Sequence, residues 1–132
     1  FVGLTETGRE FGGAETSFSP DNMLTSSRNL ANLLENLARG KLMNAQNQQN
    51  LLTLMQQQEY RDGIPAGIAK NGGGPVADKV GFANDYNGPI LNDAAIVDSP
   101  NGNYVLVIMT NGYSWAFIAN LAQWIDAEMS AN

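Results

Sequence analysis

Three runs between residues 76 and 110 leave this chain few ways to fold. Val76 to Ala83, Ile90 to Asp98 and Tyr104 to Thr110 are short and apolar-rich, and Asn87-Gly88 and Pro100-Asn101-Gly102 separate them. Connections that brief join antiparallel neighbours, because a parallel pair needs a crossover of about a dozen residues or more. The spacing therefore predicts a three-stranded antiparallel meander. Tyr104 to Met109 is apolar at every position instead of alternating, which predicts cover on both faces and a central place in the sheet.

On either side of the meander the period changes. Leu30, Leu33, Leu34 and Leu37 recur at helical spacing behind Thr25 or Ser26, either of which can cap the free amides, and Gly40 after Arg39 is a left-handed stop. Asn44 caps a second helix running to about Gln58, with Leu51, Leu52 and Met55 on one side and a Gln/Asn-rich face on the other. That period sets the amide-rich run apart from a prion-like tract, and its amides are read as a solvated surface. Asn111-Gly112 turns the chain into a last helix capped by Ser114, whose stripe of Ile118, Leu121, Ala122, Ile125 and Met129 should lie across the sheet. Trp115 and Trp124 flank that stripe as packing anchors.

Two stretches show no period. Tyr60 to Gly74 is rich in Gly and Pro and reads as a turn region; its glycine loop, Asn71 to Pro75, precedes a strand, whereas a phosphate cradle would precede a helix, so it reads as a connection. Residues 1–24, interrupted by Gly12-Gly13, read as loop, and a loop of that length at the start of a domain is unusual unless it is functional or packs on something further. The expected fold class is α+β: two helices, a three-stranded antiparallel sheet and a C-terminal helix packed on it. The 132 residues form a single unit, with 1–24 as loop, 25–75 as the helical part and 76–132 as sheet plus helix.

Several functions are excluded by what is missing. Without histidine there is no Ser-His-Asp triad and no HExxH metal site, and without cysteine no thiolate chemistry or disulfide. Thirteen acidic residues against seven basic ones give a net charge of -6, which repels phosphate backbones, so nucleic acid is not an expected partner. No apolar run approaches the roughly 20 residues of a membrane span. Asp85, Asp93 and Asp98 are the acids to weigh for a hard cation, but strand-end and turn roles suit them better, and Asp93 suits a structural hydrogen bond; no metal or cofactor is expected.

The chemistry centres on Lys79 in Val76-Ala77-Asp78-Lys79-Val80-Gly81-Phe82-Ala83, preceded by Gly63-Ile64-Pro65-Ala66-Gly67-Ile68 and followed by Asn92-Asp93-Ala94-Ala95-Ile96-Val97. In order and spacing these segments resemble the C-terminal half of a class A-like serine β-lactamase or penicillin-binding, transpeptidase-like domain, whose lysine-threonine-glycine strand lines the active site. The resemblance implies acyl transfer on a β-lactam or a D-alanyl-D-alanine-type amide. It implies that Lys79 acts electrostatically and in substrate binding, that Gly81 lets substrate approach the backbone, and that the Phe82 N–H is an oxyanion donor. Val80 falls at the substrate-binding position where the family carries a hydroxyl, and so departs from the pattern. Thr7, Arg9 and Glu10 fall where the family has a threonine-arginine run and a loop bordering the site, with Glu10 or Glu15 as the acids available to activate water.

No serine here has a lysine three positions on, so the chain holds no nucleophile motif and is expected to be inactive alone, as a C-terminal fragment of such a hydrolase. The alternative is a non-catalytic relative that keeps the fold for binding or assembly. Implied partners are a small-molecule or peptide substrate and, through Tyr104 to Thr110, the missing N-terminal half or a second copy. The resemblance implies an extracytoplasmic location, and the chain as given, without a signal segment, is expected to be processed or truncated.

Overall fold

The structure, a computed structural model, describes residues 17–19 and 22–129. A small hairpin comes first, β1 (Ser17–Ser19) antiparallel to β2 (Asn22–Leu24). The loop expected over residues 1–24 is thus amended at its end, where two three-residue strands, too short to show a period, pair with each other. Helices α1 (Ser27–Ala38) and α2 (Ala45–Gln56) follow with the expected caps: Ser26 Oγ accepts the Asn29 N–H at 3.3 Å and Asn44 Oδ1 accepts the Asn47 N–H at 2.9 Å. Gly40 adopts φ 69°, the left-handed stop.

A helix comes next in the region expected to be turn, α3 (Ile64–Ala69). Two glycines and a proline mask it, yet each has a place. Pro65 sits in the first turn, where its missing N–H costs nothing. Gly67 faces the last helix, α4 (Trp115–Met129), so closely that a Cβ would overlap the Ala119 carbonyl and the Ala122 methyl. The bare backbone is what brings α3 against α4.

The sheet is the predicted antiparallel meander, β3 (Val76–Asp85), β4 (Gly88–Ser99) and β5 (Gly102–Asn111), in the order β3-β4-β5. Tight loops of two residues, Tyr86-Asn87 and Pro100-Asn101, join them, and both hairpins run further toward their turns than the sequence reading had them. Asp85 organises the first turn, its Oδ1 accepting the Asn87 N–H at 2.7 Å and its Oδ2 the Asn111 Nδ2 at 2.9 Å. The central strand of the described sheet is β4, and β5 lies at the edge. The apolar run in β5 has cover on both faces as expected, but the cover is helical.

Alternation along the strands sorts the interior into two layers. Val76, Leu91, Ala95, Val97 and Ile108 face Ile64 and Ile68 of α3 and Ile118 and Ala122 of α4. On the opposite face Ala77, Ala94, Ile96, Val105 and Val107 meet Leu34 and Leu37 of α1 and Met55 of α2. Each fully buried Ile or Val stabilises by about 1.5 to 3 kcal/mol, and this helix–sheet–helix sandwich is what holds β3 rigid.

On α4 the buried face differs from the predicted stripe. Ile118, Ala119, Ala122 and Asp126 are buried, while Met129 is exposed. Trp115 packs against the core as an anchor, but Trp124 is 63% exposed and anchors nothing. The face is rotated because Asp126 takes a buried place at its end. Its carboxylate accepts from Ser99 Oγ at 2.5 Å, Tyr104 OH at 2.7 Å, Asn101 Nδ2 at 2.8 Å and Asn71 Nδ2 at 3.0 Å. One anion thereby ties the helix to the β4–β5 turn and to the connection before β3. Burial pushes this carboxyl up, but the hydrogen bonds from those four side chains outweigh it and hold it below the ordinary range.

Candidate functional site

Strand β3 runs along one edge of the sheet, so its outer side has no strand neighbour among the described residues. Ala77 faces α1 and α2, and period-2 alternation puts Lys79 and Gly81 on that same side. There they meet a groove of about 720 Å³ between the helices and the sheet, floored by Leu34, Leu37 and Met55 and closed by Val107 and Met109. Lys79 is exposed, and its Nζ donates to the Val80 carbonyl oxygen at 2.6 Å. Above Gly81 the space is open: a Cβ there would meet nothing within 4 Å. A cation and a stretch of bare backbone thus sit side by side at an apolar groove.

The neighbours of that pair turn the other way. Val80 is 5% exposed, and its register partner on β4 is Asp93. Phe82 is 59% exposed, its ring meeting Tyr60 edge to face at 5.3 Å. Thr7, Arg9, Glu10 and Glu15 lie outside the described residues. Asp85 sits at one end of the β3–β4 ladder, Asp98 one residue beyond the other end, and Asp93 between them, so the three acids do not converge. Among the described residues no cluster of metal-ligating side chains occurs. A second cleft, about 670 Å³ between α1 and the far ends of β4 and β5, includes none of residues 79–82.

Behind Lys79, on the α3 side of the sheet, lies a polar cluster that the sequence reading did not assemble. Asp78 is completely buried; Arg61 Nη1 donates to its Oδ1 at 2.5 Å, and Gln58 Nε2 donates to its Oδ2. Arg61 also donates to the Val76 carbonyl through both terminal nitrogens, each at 3.1 Å. Asp93, equally buried, accepts the Ile64 N–H at 2.8 Å and so caps α3, the structural hydrogen bond its position suggested. A Cβ on Gly63 would overlap that carboxylate, which explains the glycine before the helix. Burial pushes Asp78 up to about 7, the nearby Asp93 adds to the rise, and Arg61 opposes it. Burial likewise pushes Asp93 up to about 6, against the hydrogen bonds from the Ile64 and Ala94 amides. The sequence signal was there: an aspartate on an inward position of a strand, between Val76 and Val80 or between Leu91 and Ala95, needs a partner.

An edge strand carrying Lys79-Val80-Gly81, a meander and a covering C-terminal helix define an α+β domain of the class A-like β-lactamase and transpeptidase fold. The chain belongs to the β-lactamase enzyme family, whose model matches residues 2–126. It is similar to the solved structure of PBP-A, at 25% identity and a TM-score of 0.81. It is also similar to a PBP-A variant solved as its acyl-enzyme complex with penicillin G, at 26% identity and a TM-score of 0.79; each comparison covers 98% of this chain and 51% of that one. A β-lactamase from Sphaerobacter thermophilus DSM 20745 shares the fold at 11% identity, with a TM-score of 0.62 over 96% of this chain and 51% of that one. The chain therefore spans about half the length of the solved structures it matches. No curated protein sequence matches it. No helix among the described residues is long and apolar enough to cross a membrane.

Proposed function

We propose that this chain is the C-terminal half of a serine β-lactamase-like acyl-transfer domain and that its β3 edge is one wall of the active site. The observation that carries the proposal is the juxtaposition of Lys79 with the open space over Gly81 at the groove. In the assembled site a serine from the other half attacks the carbonyl carbon of a β-lactam or a D-alanyl-D-alanine-type amide. The C–O bond forms, the C–N bond breaks, and the nitrogen leaves with a proton. Lys79 favours a substrate carboxylate and the charge developing on the carbonyl oxygen, and the Phe82 N–H donates to that oxygen. Gly81 lets the substrate lie against the strand. The penicillin G acyl-enzyme of the PBP-A variant supports this substrate class. Family membership supports an extracytoplasmic site of action.

A second reading, a non-catalytic relative used for binding or assembly, is favoured by one residue. Val80 has no hydroxyl to offer a substrate carboxylate and is 5% exposed, so it shapes the strand and contacts no ligand through a polar group. Fluorescent penicillin separates the two readings. The chain alone should take no label; joined to a complementary half that carries serine-x-x-lysine, it should be acylated. Lys79→Ala should then slow acylation by roughly 10- to 100-fold, the loss of one hydrogen bond to a charged group. An adduct on a serine of the chain alone, found by intact mass, would misplace the site. Acylation unaffected by Lys79→Ala would leave the strand with a structural role only.

A further inference from the structure

Asp78 and Asp93 stand on the same face of neighbouring strands, diagonal to each other, since the register partner of Asp93 is Val80, two residues beyond Asp78. Both are completely buried. Arg61, which comes from the connection between α2 and α3, is the cation bonded to Asp78, and Lys79 across the strand adds a weaker attraction to both acids; the connection also carries Glu59 and Asp62, both exposed. The elements packed around the pair add no other charge: α3 is Ile-Pro-Ala-Gly-Ile-Ala, the residue opposite Asp93 on β5 is Ile108, and α4 presents Ile118 and Ala119, while Asp126 is engaged with Ser99, Tyr104, Asn71 and Asn101. Lys79 leaves on the opposite face of β3. With both carboxyls ionised the cluster would bury a net negative charge, which costs far more than neutralising one group with a proton.

The hydrogen bonding says where that proton belongs. Both Asp78 oxygens accept from donors, Oδ1 from Arg61 and Oδ2 from Gln58. On Asp93 only Oδ2 is used, by the Ile64 N–H, and Oδ1 is buried with no hydrogen-bond partner among the described residues. We propose that Asp78 and Asp93 titrate as a coupled pair that holds a single proton, on Asp93 Oδ1, forming a pH-sensitive latch that fastens α3 and the Gln58–Arg61 connection to the back of the strand carrying Lys79. Loss of the proton at higher pH puts a second charge beside Asp78, and α3 is held at its Ile64 amide by the group that then becomes charged. Burial raises the proton affinity of both groups, Asp78 to about 7 and Asp93 to about 6; that order by itself would favour Asp78, and the proton is placed on Asp93 because both Asp78 oxygens already accept from donors while Asp93 Oδ1 accepts from none among the described residues.

The test is a carbon-detected titration of the aspartate carboxyls in the intact 132-residue chain, followed together with the Ile64 amide. The expected result is a two-step titration of Asp78 and Asp93, with Asp93 keeping its proton above about pH 5, where an ordinary carboxyl near 4 is ionised. The Ile64 amide shift should move with the same midpoint. In Asp93→Asn, whose amide oxygen still accepts from Ile64, the amide titration should vanish and Asp78 should titrate in a single step. Midpoints at or below about 4 for both carboxyls, or an Ile64 amide that does not respond between about pH 4 and 8, would overturn the proposal. The wild-type titration decides the matter even where Asp93→Asn fails to fold.

Discussion

Two buried acids of this chain respond to pH in opposite directions, for reasons visible atom by atom. Burial pushes Asp126 up, but four side chains donate to it and hold it below the ordinary range. A group whose folded value is depressed contributes stability above its unfolded value near 4 and loses it as pH falls through the folded value. Asp93 has a raised folded value, so its contribution is complete below about 4 and is lost as pH rises through about 6. A shift of that size is worth on the order of 3 kcal/mol. Stability is therefore expected to peak in mild acid, and chemical unfolding followed across pH should show the maximum. Asp126→Ala removes an acceptor from four donors and should cost about 2 to 4 kcal/mol at neutral pH, with the deficit shrinking as the wild type itself is protonated. A deficit that stays constant down to strong acid would mean that Asp126 is not held as an anion. The structural hydrogen bond of Asp93 was legible in the sequence, but the role of Asp126 was not: it is one polar residue inside an apolar stripe, and its four donors are 22 to 55 residues away.

What decided legibility at the level of elements was whether the stabilising contacts are local. α1, α2 and the meander were legible because period, caps and turn residues are written within a few positions of each other; Ser26, Asn44 and Ser114 cap where expected. α3 was not legible. Six residues with a proline and a glycine cannot hold a helix by propensity, and this one is held by the Asp93 cap at its start and by α4 along its side. The same dependence yields a prediction. Gly67→Ala would raise helix propensity in isolation, yet here the added methyl must displace Ala119 and Ala122. The overpacking should win, with a loss of about 1 to 3 kcal/mol seen in thermal or denaturant unfolding. A neutral or stabilising Gly67→Ala would show that α3 and α4 are not packed backbone to backbone. The site strand was legible for a related reason: Lys79 and Gly81 are local text, whereas Asp78, Arg61 and Asp93 become a cluster only when β3, β4 and the connection before α3 meet.

For the whole molecule, the feature that bears on the half-domain proposal is the far edge of the sheet. β5 has a strand on one side only, and its outer backbone groups lack a ladder partner among the described residues although helices cover both of its faces. The chain also spans about half of the domains it matches, and the groove at Lys79 is walled by apolar side chains such as Leu37, Val107 and Met109. An edge of that kind recruits another strand. The isolated chain is therefore expected not to behave as a monomer at micromolar concentration: it should pair through β5 with a second copy, exchange an element, or remain bound to a complementary half. Light scattering with denaturing mass analysis reads the outcome. Adding a polypeptide that covers the complementary half should convert self-associated material into a one-to-one species, because a strand laid against β5 satisfies the backbone that drives self-pairing. A cooperatively unfolding monomer made of this chain alone, indifferent to that addition, would mean that the sheet is complete with three strands and that the half-domain proposal fails at its largest scale.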